Sequence, residues 1–233
     1  MPTFSIGYLI FSGLTALDLF GPLQALNLLS IKQPLSLSLI STSLEPVTID
    51  HSPFFLQSAR PISEGFYQTV LPTHTLATAP EELDIIIVPG GAEARNLNGT
   101  QPYVDFLKKR YGSGKSTTGA DVKNLSYLMS ICTGASLLAR AGLLDGRNAT
   151  TNKNARAFVR GTGPGVNWVP KARWVVDGNV WTSSGVSAGT DMTLAWIEEV
   201  YGEEQAYNIT KLMEWNRLGR QEDPWSFLVP RQA

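Results

Sequence analysis

Apolar positions in this chain gather into two kinds of segment that alternate from one end to the other. Residues 4–11, 83–88 and 125–131 are short, mostly apolar runs, the pattern of strands covered on both faces in a parallel sheet. Residues 35–41 alternate apolar and polar, as a half-buried strand does. Leu14, Leu17, Phe20, Leu23, Leu26 and Leu29 recur at helical spacing, with Gly21-Pro22 near enough to the start to be tolerated as a bend. Further helices are predicted from the turn at Cys132 through Leu138 and over 102–111, 190–201 and 203–215, with a weak one at 153–160. Residues 174–181 alternate on both sides of Asp177-Gly178, which predicts a β-hairpin, and 148–151 reads as a short strand. Residues 42–72 are irregular, with β-prone pieces at 47–49 and 66–71 that predict a small meander. The stretch 112–119 reads as a glycine-rich loop, and 219–233 as an end draped over the surface.

This succession of strands and helices predicts an α/β fold in a single domain across 1–233. Composition agrees: 233 residues with 43% hydrophobic and 17% charged content suit one large core and exclude a disordered chain. The formal net charge is -1, from 19 basic against 20 acidic residues, and Lys108-Lys109-Arg110 is the one basic run that stands out. That balance gives no reason to expect nucleic acid or a membrane surface as a partner. No apolar segment approaches bilayer-spanning length, and the first apolar run has neither a basic start nor a small-residue cleavage site. A single cysteine precludes an internal disulfide, so a cytoplasmic location is expected. The sequons beginning at Asn98, Asn124, Asn148 and Asn208 are then read as unused. His51 and His74, the two histidines, form no cluster with metal-ligand spacing. Gly114-Lys115-Ser116 invites a phosphate-loop reading, but the upstream glycine would have to be Lys109 and no apolar strand leads into it.

Candidate chemistry centres on the lone thiol. Cys132 lies where an apolar strand turns directly into a helix, beneath free N–H groups that favour thiolate. Position alone leaves two readings open, nucleophile or inert core filler. Asp18 sits in the middle of a greasy helical face. It is either a first-turn charge favoured by the helix dipole or a buried carboxyl able to hold a proton. Gly90-Gly91 follows the 83–88 run at the carboxyl end of a central strand, where open α/β sheets place their sites. Asp191 is read as a dipole-favoured charge near a helix start.

Taken together and in order, Leu17-Asp18-Leu19-Phe20-Gly21-Pro22, Pro89-Gly90-Gly91, Ser130-Ile131-Cys132-Thr133-Gly134 with 141–146 behind it, Ala149-Thr150-Thr151, and 185–191 resemble the ThiJ/PfpI superfamily. The closest resemblance is to its isocyanide hydratase branch, and it covers about 4–215. It implies a flavodoxin-like three-layer sandwich with a mostly parallel sheet, a nucleophile elbow and a small added hairpin, assembled as a homodimer. It also implies Cys132 as nucleophile, Asp18 as its acid/base partner and Thr133 beside it, with Gly90, Gly91 and Val186 bordering the substrate. The implied activity is hydration of a small electrophile, an isocyanide converted to an N-substituted formamide, with no cofactor and no metal. Two departures accompany the likeness: Thr133 stands where many members carry histidine, and Asn152 where the hydratase pattern continues with histidine. A glyoxalase or deglycase acting on α-oxoaldehydes, a natural-product tailoring enzyme and a cysteine redox sensor are the competing expectations.

Overall fold

The computed structural model describes residues 3–51, 65–111 and 125–229. The anticipated loop at 112–119 lies outside them. Among the described residues the chain builds a seven-stranded sheet from β1 (Phe4–Leu9), β2 (Leu35–Ser41), β5 (His74–Thr75), β6 (Ile85–Val88), β7 (Tyr127–Ser130), β10 (Trp174–Asp177) and β11 (Val180–Ser183). The spatial order is β10-β11-β7-β6-β1-β2-β5. Every pairing is parallel except β10 with β11. Two small pairs stand apart: β3 (Val47–Thr48) with β4 (Thr69–Val70), antiparallel, and β8 (Asn148–Ala149) with β9 (Asn167–Trp168), parallel.

The sheet centre follows from the apolar runs. All four residues of β6 are buried, as a strand sandwiched between two helical layers requires. One layer is formed by α1 (Ala16–Ser30), α5 (Ala188–Tyr201) and α6 (Glu203–Leu212), with α5 packed on both others. The other is formed by α2 (Gln101–Tyr111), α3 (Ala135–Arg140) and α4 (Arg156–Thr162), with α3 packed on both others. The result is the α/β fold that the alternation predicts, in the sandwich form that the resemblance implies.

Three expectations change in detail. The hairpin is no appendage: β11 pairs with β7, so the hairpin forms one edge of the main sheet. Of the expected meander the described residues show the β3–β4 pair, Val47 opposite Val70, while 52–64 lie outside them. Asp191 stands in the first turn of α5 as expected, but it is fully buried and paired within the protein. It accepts hydrogen bonds from Arg173 Nε at 2.7 Å and from Trp215 Nε1 at 2.7 Å, and pairs with Arg173 Nη2 at 2.6 Å.

Candidate active site

The strand β7 delivers the chain to Cys132, which opens a single 3-10 turn, Cys132–Gly134, before α3. Its φ is 56°, in the left-handed region that a residue with a β-carbon enters only at a cost of roughly 1–3 kcal/mol. Both of its backbone groups are held: the N–H donates to the Ser184 carbonyl at 3.0 Å, and the carbonyl accepts from Thr151 Oγ1 at 2.7 Å. The strained turn is thereby over-determined by its surroundings, and the thiol is fixed in the interior.

Gly90 and Gly91 press against this elbow. A β-carbon on Gly90 would lie 2.5 Å from the Thr133 nitrogen and 2.8 Å from the Cys132 β-carbon, so only glycine fits. Their N–H groups are already engaged within the protein. Gly90 donates to Asp18 Oδ2 at 2.8 Å, and Gly91 donates to Thr133 Oγ1 at 2.9 Å. Thr133 returns the contact by donating to the Gly91 carbonyl at 3.1 Å.

Asp18 reaches the elbow from the first turn of α1 and is wholly buried. Pro22, one helical turn later, lacks the N–H that would have bonded the Asp18 carbonyl. The hydroxyl of Tyr8, buried on β1, donates to that carbonyl instead. With Oδ2 bonded to Gly90, Oδ1 is left buried with no well-aligned partner. The Cys132 thiol lies within interaction range of the carboxyl, short of a formed hydrogen bond at Oδ1.

The electrostatics reverse one expectation. Burial pushes the Asp18 carboxyl up to about 8, against the smaller pull of the Gly90 N–H and the nearby Cys132 thiol. Burial and the negative charge of Asp18 also push the Cys132 thiol up to about 12, where the sequence led us to expect favoured thiolate. The helix behind the elbow is only six residues long, too little to offset desolvation. Three groups do favour the thiolate: the Thr133 and Val186 N–H groups and the Asn152 side chain. Asn152 Oδ1 accepts from the Ala155 N–H at 3.0 Å, which leaves its amide N–H groups to face sulfur. The two acids form a coupled pair that holds one proton over a wide pH span.

Three residues that bond Cys132, namely Asn152, Ser184 and Val186, also line a pocket of about 200 Å³, smaller than the roughly 300–1,000 Å³ of pockets for drug-sized ligands. Cys132 and Asp18 lie behind that lining, which also includes Lys153, Arg173, Asp223, Trp225 and Leu228. Among the described residues no group of three or more His, Cys, Asp or Glu is placed to hold a metal ion. No helix among them is long and apolar enough to cross a membrane.

The model of the DJ-1/PfpI family matches residues 5–199. The chain belongs to that family. An isonitrile hydratase of Pseudomonas putida is 32% identical over 90% of this chain and 78% of its own. A deglycase of Pyrococcus horikoshii is 33% identical over 52% of this chain and 61% of its own. Among solved structures, a ThiJ/PfpI family protein of Pseudomonas syringae superposes with a TM-score of 0.72 at 27% identity, covering 94% of this chain and 78% of that one.

The structure thus gathers Cys132, Asp18, Thr133, Gly90, Gly91 and Val186 at one place. Tyr8, Thr151 and the positive part played by Asn152 escaped the sequence reading. A signal for Tyr8 was present, because a proline four residues after Asp18 leaves a carbonyl that needs a donor. His51 contacts the Leu14 carbonyl at 3.0 Å and His74 contacts Thr73 Oγ1 at 2.9 Å.

Proposed function

We propose that the protein is a cofactor-independent hydratase that converts an isocyanide to an N-substituted formamide. The carrying observation is the Asp18–Cys132 pair: a buried carboxyl raised to about 8 beside a thiol, a combination that can lend and recover one proton. The Asp18 carboxylate takes the thiol proton as the sulfur electron pair forms a bond to the terminal carbon of the isocyanide. Asp18 then delivers that proton to the same carbon, leaving a thioimidate on Cys132. Water adds to the thioimidate carbon, the carbon–sulfur bond breaks, and the formamide departs while sulfur regains a proton. The sum is one isocyanide and one water to one formamide. The Asn152 amide and the Thr133 and Val186 N–H groups stabilise negative charge on sulfur during attack and departure.

A terminal isocyanide carbon suits a high thiol pKa, because the addition consumes the proton as well as the sulfur. The similarity to isonitrile hydratase over 90% of this chain supports the same reading. The test is formamide production from a panel of isocyanides by the purified protein, read by mass spectrometry. Turnover abolished in Cys132→Ala and in Asp18→Asn is the expected result. Turnover that survives either substitution sinks the mechanism, and greater Cys132-dependent turnover of methylglyoxal would transfer the protein to the deglycase class.

A further inference from the structure

The tail does more than lie on the surface. Three contacts bind it, and the segment just before it, to the body. Trp215 Nε1 donates to the buried Asp191 at 2.7 Å, and the Arg173 N–H donates to the Arg220 carbonyl at 2.9 Å. The third centres on Asp223. Its side chain is 1% exposed, and Oδ1 accepts from the Trp225 N–H at 2.9 Å, shaping the turn that carries Trp225. Its Oδ2 faces Lys153 Nζ at 3.4 Å, on a lysine side chain 2% exposed. Lys153 is itself fixed by Thr150 Oγ1 at 2.9 Å and the Ala172 carbonyl at 2.7 Å.

A buried ion pair is a costly way to tie down a chain end. Here it fixes two apolar side chains, Trp225 and Leu228, which line the pocket yet remain 56% and 43% exposed. The same pocket is lined by Asn152 and Val186, which bond the sulfur, and by Ser184, whose carbonyl accepts from the Cys132 N–H. Trp225 and Leu228 therefore supply large apolar area to a pocket whose lining is otherwise mostly polar and includes residues bonded to Cys132.

We infer that Trp225 and Leu228 are a specificity wall that receives a flat or bulky apolar substituent on the electrophile, and that Asp223, through Lys153, is the residue that positions the wall. The inference rests on Cys132 as nucleophile but not on the isocyanide being its substrate. An aryl substituent stacked on Trp225 leaves the electrophilic carbon directed towards the Asn152 side.

Because Cys132 is the only cysteine, alkylation by maleimides reports on the approach to that thiol alone. The measurement is the ratio of second-order rate constants for N-phenylmaleimide and N-methylmaleimide, followed by intact mass and divided by the same ratio for glutathione. The expected wild-type ratio is roughly tenfold in favour of the phenyl reagent, the scale of a gained apolar contact. It falls close to one in Trp225→Ala, is largely kept in Trp225→Phe, and falls in Asp223→Asn with thermal unfolding checked in parallel. A ratio unchanged in Trp225→Ala overturns the wall, as does a substitution that accelerates both reagents equally. A Cys132 that reacts with neither reagent overturns the wall together with the nucleophile reading. Absent formamide production with the ratio behaving as expected removes the isocyanide and keeps the wall.

Discussion

Two carboxylates in this molecule begin from the same position and end with opposite lives. Asp18 and Asp191 each occupy the first turn of a helix, and each is fully buried. Asp191 meets a guanidinium at 2.6 Å and an indole N–H at 2.7 Å, so its charge is matched and both oxygens are bonded. Among the described residues Asp18 meets one backbone N–H, a thiol and no cation. Matching converts the first into a rivet joining α5 to Arg173, just ahead of β10, and to Trp215, just ahead of the tail; lack of matching raises the affinity of the second for a proton. Helix position alone therefore says nothing about whether a buried acid is structural or reactive. The groups delivered by distant segments decide it.

The largest expected effect removes the reactive pair. Cys132→Ala should lower isocyanide turnover by on the order of 10⁴-fold, and Asp18→Asn by on the order of 10³-fold, measured as formamide formed per enzyme. Equal residual rates near wild type would erase the distinction between the two acids. Next comes the structural pair. Arg173→Met strands the Asp191 charge and should cost about 3–5 kcal/mol, a fall in melting temperature of roughly 10 °C by calorimetry. An unchanged melting temperature would show that Asp191 needs no partner.

The third concerns stability against pH. Between the ordinary carboxylate value of 3.8 and about 8, Asp18 is protonated in the folded chain and ionised in the unfolded one. The folded state holds the extra proton there, so rising pH destabilises it through that window and Asp18 contributes no further change above about 8. Asp18→Asn removes that slope. Relative to wild type it should gain on the order of 3 kcal/mol between pH 5 and pH 8, read from denaturant midpoints at each pH. A parallel pair of pH profiles would break the assignment. The smallest effect is kinetic: alkylation of Cys132 by N-methylmaleimide should rise about tenfold between pH 7 and pH 9 as the carboxylate that accepts the thiol proton appears. Asp18→Asn should flatten that rise.

The sheet was legible because its centre is built from runs that can be nothing but buried strands. The four buried residues of β6 are the clearest case. Cys132, Gly90-Gly91 and Asp18 were legible for a related reason, since a strand ending, a paired glycine and a charge on an apolar face each break the local pattern. Asn152, Lys153 and Asp223 break no pattern where they stand. Their roles arise from contacts such as Lys153 with Asp223, 70 positions apart in the chain, which periodicity cannot register. The thiol pKa was misread for the same reason, as the helix end is local while burial and Asp18 are not.

Pro22 works on α1 as a key works on a shaft. With an ordinary residue at 22, the Asp18 carbonyl would close onto its own helix and the helix could turn about its axis without losing a hydrogen bond. Pro22 leaves that carbonyl for Tyr8 on the neighbouring strand. A one-residue slip of the helix, about 100° of rotation, would break the lock and swing the carboxyl away from sulfur. A residue that touches neither substrate nor thiol thus sets the angular position of the acid.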